Sequence, residues 1–243
     1  MLQQTLLSVS RLNAWYGGAH ILHDVSLRVE RGEVVALMGR NGMGKSTTIK
    51  AIMGLIGRRT GHIEFMGHVV DKRQPYEIAR LGLGYVPEER RIFTDLTVKE
   101  NLETGRQPSR EPSQGVAPLN WTVEEMYKLF PNLGTMENRL ASAMSGGEQQ
   151  MLSMARTLMG NPYMVLLDEP SEGLAPVIVE QMAAMILSLK RQGCSVLLCE
   201  QNIHFASLVS DRAYVLERGV VRFEGTMEEL AGDERVRGKY LAI

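Results

Sequence analysis

The chain opens on short stretches in which apolar and polar residues alternate. LLSVSRL (6–12) and VSLRVE (25–30) carry the period of two expected of half-exposed β-strands. GEVVALMG (32–39) breaks that rhythm with a continuous apolar centre between glycines, the pattern of a strand buried on both faces of a parallel sheet. The period then lengthens, predicting a helix from Lys45 that turns Ile49, Ile52 and Met53 inward. GHIEFMGHVV (61–70) predicts a hairpin turning near Met66-Gly67. The middle, roughly 97–160, reads as helical, interrupted by GRQPSREPSQGVAPLNWT (105–122), a Pro-, Ser- and Gly-rich loop. Alternation of element types returns with strand YMVLL (163–167), helix PVIVEQMAAMILSLKRQ (176–192) and strand SVLLC (195–199). Pro176 suits that helix's first turn and Gly193 its C-terminal cap. A hairpin, AYVLERGVVRFEG (213–225), and a polar helical tail follow. Buried strands alternating with helices predict an α/β fold with a mainly parallel sheet. An antiparallel β subdomain at the front and an inserted helical part are additions to it.

Composition narrows the partners. The 243 residues are 44% hydrophobic and 23% charged, with a net charge of −1. That balance suits a soluble globular protein and carries no general attraction to nucleic acid or anionic lipid. No apolar run approaches the roughly 20 residues of a bilayer span. MLQQTLLSVS lacks the features of a secretion signal, so the chain is expected to stay in the cytosol. Cys194 and Cys199, read as part of one strand, are five residues apart and so face opposite ways. Two reduced, buried thiols are expected.

Phosphate chemistry is written into GRNGMGKST (39–47), which satisfies G-x-x-x-x-G-K-[ST] with Gly39, Gly44, Lys45 and Ser46. It follows a buried strand and opens a helix, the context the motif needs. Glycines let successive N–H groups converge on a β-phosphate, with Arg40, Asn41, Gly42 and Thr47 completing the ATP-binding stretch. Lys45 brings a cation to the β/γ oxygens, Ser46 a hydroxyl to Mg²⁺, and the helix N-terminus its dipole. In MVLLDEP (164–170) Asp168 emerges at a strand's C-terminal end, where α/β sheets bind ligands. Asp168 is the candidate for holding magnesium through water, and Glu169 for polarising the attacking water. A nucleotide's phosphates and Mg²⁺ are therefore expected ligands. MSGGEQQ (144–150) adds a second anion site, since two glycines open a helix after a serine. No lysine or arginine within those seven residues shares the negative charge.

The P-loop, MSGGEQQ and LLDEPSEGLAP, in this order and with these separations, resemble the ATP-binding-cassette (ABC) ATPases over nearly the whole chain. The resemblance implies a P-loop NTPase core with β subdomain (1–86 and 160–243) and a helical subdomain (87–159) carrying the signature, with ATP and Mg²⁺ as the cofactors. It implies that Ser145, Gly146 and Gly147 bind the γ-phosphate of ATP held by a partner cassette, whose own lysine supplies the cation. Tyr16 in AWYGGAHIL matches the aromatic that stacks on adenine, and SEGLA (171–175) the loop along the dimer interface. GLGYVPEERRIFTDLTVKENL (82–102) matches the region that senses the γ-phosphate and receives the membrane partner's coupling helix. Arg90 and Arg91 are expected at that membrane-facing surface. Two positions depart from the family pattern. Glu88 replaces the usual glutamine beside the metal, and Gln201, in CEQN (199–202), replaces the switch histidine. Gln201 can hydrogen-bond a γ-phosphate but carries no charge. His204 is expected to point elsewhere.

YVPE-x-RRIF, SGGEQQML, DEPSEGLAP and EQN together look like the smaller ATPase type of the branched-chain amino-acid uptake systems. Urea, short-chain amide and aromatic-acid importers use similar subunits. The resemblance implies a second cassette, sister subunit or self, with separate permeases and an extracytoplasmic solute-binding protein. The chain would then sit peripherally on the inner face of the membrane. A soluble cassette acting on ribosomes or DNA is disfavoured by the lack of a second cassette, a coiled-coil insertion or a basic patch. A non-hydrolysing regulatory cassette, suggested by Gln201, is disfavoured by Lys45 and Glu169.

Overall fold

A computed structural model describes residues 4–110 and 119–241. β1 (Thr5–Tyr16) and β2 (Ala19–Glu30) form a long hairpin turning through Gly17-Gly18. Both strands run further than their alternation indicates. Arg11, with φ 47°, inserts an extra residue, so three steps on β1 from Val9 to Leu12 face two on β2 from Leu27 to Val25. The bulge breaks the period of two at Ser10-Arg11, and the pattern resumes with Leu12 and Ala14 buried. β4 (Arg58–Phe65) and β5 (His68–Val69) add to β1, giving an antiparallel sheet of order β2-β1-β4-β5. β4 and β5 turn at Met66-Gly67, as expected, with positive φ at both residues.

The second sheet has the order β10-β9-β3-β8-β7-β6. Its members are β3 (Val34–Met38), β6 (Leu83–Val86), β7 (Met164–Asp168), β8 (Ser195–Glu200), β9 (Arg212–Glu217) and β10 (Val220–Thr226). All neighbours are parallel except β10, which closes one edge antiparallel to β9. Every residue of β3, β7 and β8 is buried, which is why these segments read as unbroken apolar runs. α1 (Lys45–Ile52) follows β3, and α2 (Pro75–Arg80) precedes β6. α3 (Val98–Gly105), α4 (Val123–Leu129), α5 (Pro131–Gly134) and α6 (Gly146–Leu158) lie between β6 and β7. α7 (Pro176–Arg191) and α8 (Ile203–Val209) flank β8 in sequence, and α9 (Met227–Gly232) follows β10. Residues 111–118 of the loop expected at 105–122 lie outside the described residues.

Two large apolar layers sandwich the parallel sheet. One joins it to α1 and the antiparallel sheet through Leu37, Ile49, Ile52, Leu166, Leu197 and Cys199. The other packs Val165, Leu167, Val196, Leu198 and Cys194 against α6 and α7. The cysteines thus occupy opposite layers, although Cys194 stands just before β8 rather than within it. Burial pushes both thiols well above their ordinary pKa. Tyr214 stitches the sheets together, because its buried hydroxyl accepts from the Arg28 N–H (3.2 Å) and donates to Glu224 (3.0 Å).

Candidate active site

β3 delivers the chain to Gly39, at the C-terminal ends of the parallel strands. A Cβ on Gly39 would lie 2.6 Å from the Leu216 carbonyl oxygen, so only glycine lets the loop pass beside β9. Gly44 (φ 106°) opens α1 in a conformation that side chains resist. The β9–β10 turn braces the loop from behind: Gly219 N–H donates to the Met43 carbonyl (2.9 Å), and the Gly219 carbonyl accepts from His23 N–H (2.8 Å). Arg40, Asn41 and Gly42 are exposed at its crest, Ser46 is half-buried and Thr47 buried. Lys45 is buried, with Nζ donating to the carbonyls of Gly39 (2.7 Å) and Arg40 (3.1 Å) and lying 2.9 Å from Glu169 Oε1. Lysine, loop and carboxylate therefore converge on one point.

Asp168 ends β7. Its Oδ2 accepts from the Tyr85 hydroxyl (3.3 Å), while Oδ1 is buried without a hydrogen-bond partner. Burial raises its pKa, against the opposing pull of the Ser46 hydroxyl and Lys50. A buried carboxylate oxygen left without a partner fits a hard divalent cation. Mg²⁺ keeps water and phosphate oxygens as most of its ligands, so one carboxylate and one hydroxyl from the protein would be enough to hold it. Bound there, the ion would neutralise charge on the β and γ oxygens. Glu88 is exposed, at the rim of a small cleft that Glu169, Glu172, Arg90 and Gln150 also line.

Glu169 turns sharply out of the strand with φ 48°, its N–H held by the Cys199 carbonyl (3.0 Å). Burial alone would raise its pKa, but a hydrogen bond from Glu172 and the Lys45 ammonium pull it below the ordinary value. Glu172 takes the opposite shift, up to about 7, through its hydrogen bond to Glu169 and its own desolvation. The two shifts are opposite, as expected of neighbouring carboxyls of which one gives up its proton before the other. Glu172 stands in SEGLA, where sequence reading saw only an interface loop. Its pairing with Glu169 follows from the tight turn at Pro170, which local pattern does not announce.

Gln201 is exposed beyond the end of β8, and His204 is exposed on α8. Tyr16 is 49% exposed where β1 ends at the hairpin turn, which rules out a core role. Ser145 caps α6 in a reciprocal box with Glu148: its N–H donates to Glu148 Oε2 (2.7 Å) and its hydroxyl accepts from Glu148 N–H (3.4 Å). Gly147 sits so close to Ile178 on α7 that an added Cβ would lie 3.2 Å from it.

Arg90 and Arg91 take different surroundings. Arg90 does not line the broad groove that Arg91 lines; its guanidinium lies over Gly146, where an added Cβ would come within 2.9 Å of a guanidinium nitrogen. Arg90 and Arg91 both adopt left-handed backbone (φ 63° and 47°), which sends adjacent side chains apart. Ser153 donates to the Arg90 carbonyl (2.6 Å) and Arg156 to that of Arg91. The signature thus has a cation beside it, contributed by a distant segment and invisible within its seven residues. Arg91 remains exposed on a groove of about 1080 Å³ bordered by Leu55, Tyr76, Arg80, Phe93 and Arg156.

The geometry agrees with what the chain is similar to. Residues 22–172 match the family model described as ABC transporter. The branched-chain amino acid transport ATP-binding protein BraG of Pseudomonas aeruginosa is 40% identical over 97% of this chain and 99% of its own. The lipopolysaccharide export ATP-binding protein LptB of Haemophilus influenzae is 34% identical over 98% and 97%. A crystal structure of a nucleotide-free ATP-binding cassette from an ABC transporter superposes with a TM-score of 0.79 at 28% identity, covering 96% of this chain and 97% of that one. The chain has the ABC ATPase fold and belongs to the ABC transporter family, as an ATP-binding, ATP-hydrolysing subunit.

Proposed function

We propose that the chain is one of two cassettes driving an importer of branched-chain amino acids or a similar small solute. The cassettes pair head to tail. Ser145, Gly146 and Gly147 of each meet the γ-phosphate of ATP on the other's Gly39–Thr47 loop, and Tyr16 stacks on the adenine. Lys45 neutralises the β/γ oxygens, and Ser46 and Asp168 hold Mg²⁺ with Glu88 nearby. Glu169 polarises the attacking water, and Gln201 hydrogen-bonds the γ-phosphate. A core of 1–86 and 160–243 carries the nucleotide, and 87–159 carries the signature. Binding closes the pair and hydrolysis reopens it, a shift between two populations.

One observation carries this reading. Among the described residues, no hydrogen bond or ion pair joins Ser145–Gly147 to the P-loop of the same chain; their partners are Glu148 and the flank of α7. Ser145 is exposed, so its anion comes from outside. No helix among the described residues is long and apolar enough to cross a membrane, which fits separate permeases docking in the groove at Arg91. That docking places the chain on the membrane's inner face, and uptake further implies an extracytoplasmic solute-binding protein. The 40% identity with BraG favours uptake. Identity of 34% with LptB supports an export motor as the second reading.

The test compares ATP turnover of the monomer, the dimer and the permease-bound assembly, with solute flux followed in vesicles. The monomer is expected to be nearly idle and flux to run inward. Equal turnover per chain in all three states would overturn the shared-site reading, and outward flux would favour the export motor.

A further inference from the structure

We infer that Glu200 is a positioning residue that holds the turn bearing Glu169 and the loop bearing Gln201 in one fixed relation. The inference rests on the roles proposed for those two residues. Glu200 ends β8 and is 3% exposed, a carboxylate in the floor of the site. Its Oε1 accepts from the N–H of Ser171 (3.2 Å), two residues beyond Glu169. Its Oε2 accepts from the N–H groups of Gln201 (3.1 Å) and Asn202 (3.2 Å).

Two separate loops therefore end on one side chain. Glu169 N–H is already tied to the Cys199 carbonyl (3.0 Å), so the Glu169–Ser171 turn is pinned at both ends to the last two residues of β8. A carboxylate suits this task because both of its oxygens accept and neither donates. Charge-assisted bonds to backbone N–H also hold their geometry more firmly than neutral ones. A glutamine there has one accepting oxygen, and its NH₂ would face a backbone N–H. It can serve one loop but not both.

Displacement of a water-positioning group by about 1 Å can cost up to ~10²-fold in rate without touching substrate binding. The hydrogen bonds of Glu200 go to Ser171, Gln201 and Asn202 and not to Gly39–Thr47, so its loss is expected to appear in turnover and not in affinity.

The experiment uses the full chain in its dimeric, permease-bound assembly, with Glu200→Gln measured for turnover against ATP concentration, ATP affinity and thermal midpoint. The expected result is a kcat lowered roughly 10–100-fold with KM, affinity and midpoint near wild type. Wild-type kcat overturns the proposal. So does a parallel fall in kcat, affinity and midpoint, which marks a merely structural group. Should Glu200→Gln not accumulate folded, Glu200→Asp keeps the charge but shortens the reach between the Ser171 and Gln201 N–H groups and should show the same split at smaller amplitude; wild-type kcat there overturns the proposal. Glu169→Gln runs alongside as a control. If it keeps full turnover, the site reading itself fails; if it is idle while Glu200→Gln is not, only the positioning role fails.

Discussion

Lys45 Nζ lies 2.9 Å from Glu169 Oε1, with the two side chains only 2% and 10% exposed. The cation proposed for the phosphates is thus paired with the carboxylate proposed for the water. A buried pair of this kind is not broken without a replacement partner. Under the proposed roles an incoming γ-phosphate is expected to provide one, taking Lys45 and freeing Glu169. Glu169→Gln removes both the competing charge and the base. ATP is expected to bind at least as tightly, while turnover falls by roughly 10²–10⁴-fold. Nucleotide titration and phosphate release read the two effects separately.

The Glu169–Glu172 pair sets a pH dependence. Glu172's folded pKa, about 7, lies above its ordinary 4.5, so between those values the folded chain holds a proton that the unfolded chain has released. The linked stability is full below the unfolded value and is lost as pH rises through the folded one. Glu169 is shifted the other way, so its contribution changes only at lower pH. The thermal midpoint of the nucleotide-free protein should fall between about pH 5 and about pH 8, and Glu172→Gln should flatten that slope. A slope unchanged in the variant would remove Glu172 from the account.

Arg90 and Arg91 are neighbours with separable effects. Arg91→Glu reverses an exposed charge on the groove and is expected to weaken assembly with the permeases while sparing ATP binding. Arg90→Ala strips the cation from beside Gly146 and should lower turnover of the dimer by about tenfold, a loss of one partly screened charge contact, with assembly intact. Pull-down and turnover assays on both variants check the division, and identical phenotypes would contradict it.

Tyr16 is exposed, so Tyr16→Ala should leave the thermal midpoint unchanged. Stacking on adenine is worth about 0.5–1.5 kcal/mol, which predicts ATP affinity weakened by several-fold and largely restored in Tyr16→Trp. Binding isotherms for the three proteins decide it.

Gly219 is placed where a Cβ would fall 1.8 Å from the Ile21 carbonyl oxygen. Gly219→Ala should cost at least about 1–3 kcal/mol from backbone strain alone. It should also loosen the Met43 carbonyl that Gly219 N–H holds, raising KM for ATP as well as lowering the midpoint. Thermal melts with and without ATP would show both, and a lowered midpoint with unchanged KM would separate the turn from the P-loop.

Much of the fold was legible because its cues are local. The unbroken apolar runs of β3, β7 and β8 and the turn at Met66-Gly67 each report their environment within a few residues. The hairpin of β1 and β2 was read short because the bulge at Arg11 interrupts the period without ending the strand. In the candidate site, Gly39, Gly44, Lys45, Asp168 and Glu169 were legible as residue types at required spacings. Glu172, Glu200 and the true heading of Arg90 were not, since each draws its meaning from a neighbour on another segment.

Period, glycine placement and motif spacing belong to short stretches of chain, so they alone determine that this protein has a parallel α/β core with a phosphate loop on its first buried strand. Which charges meet is decided only when β3, β7 and β8 stand side by side. Their shared C-terminal edge brings Lys45 to Glu169 and sets Glu200 against Ser171, 29 positions apart in the chain. Left-handed backbone at two arginines turns one of them onto Gly146. Hydrogen bonds and ion pairs act over about 3 Å, and that proximity is a property of the packed molecule.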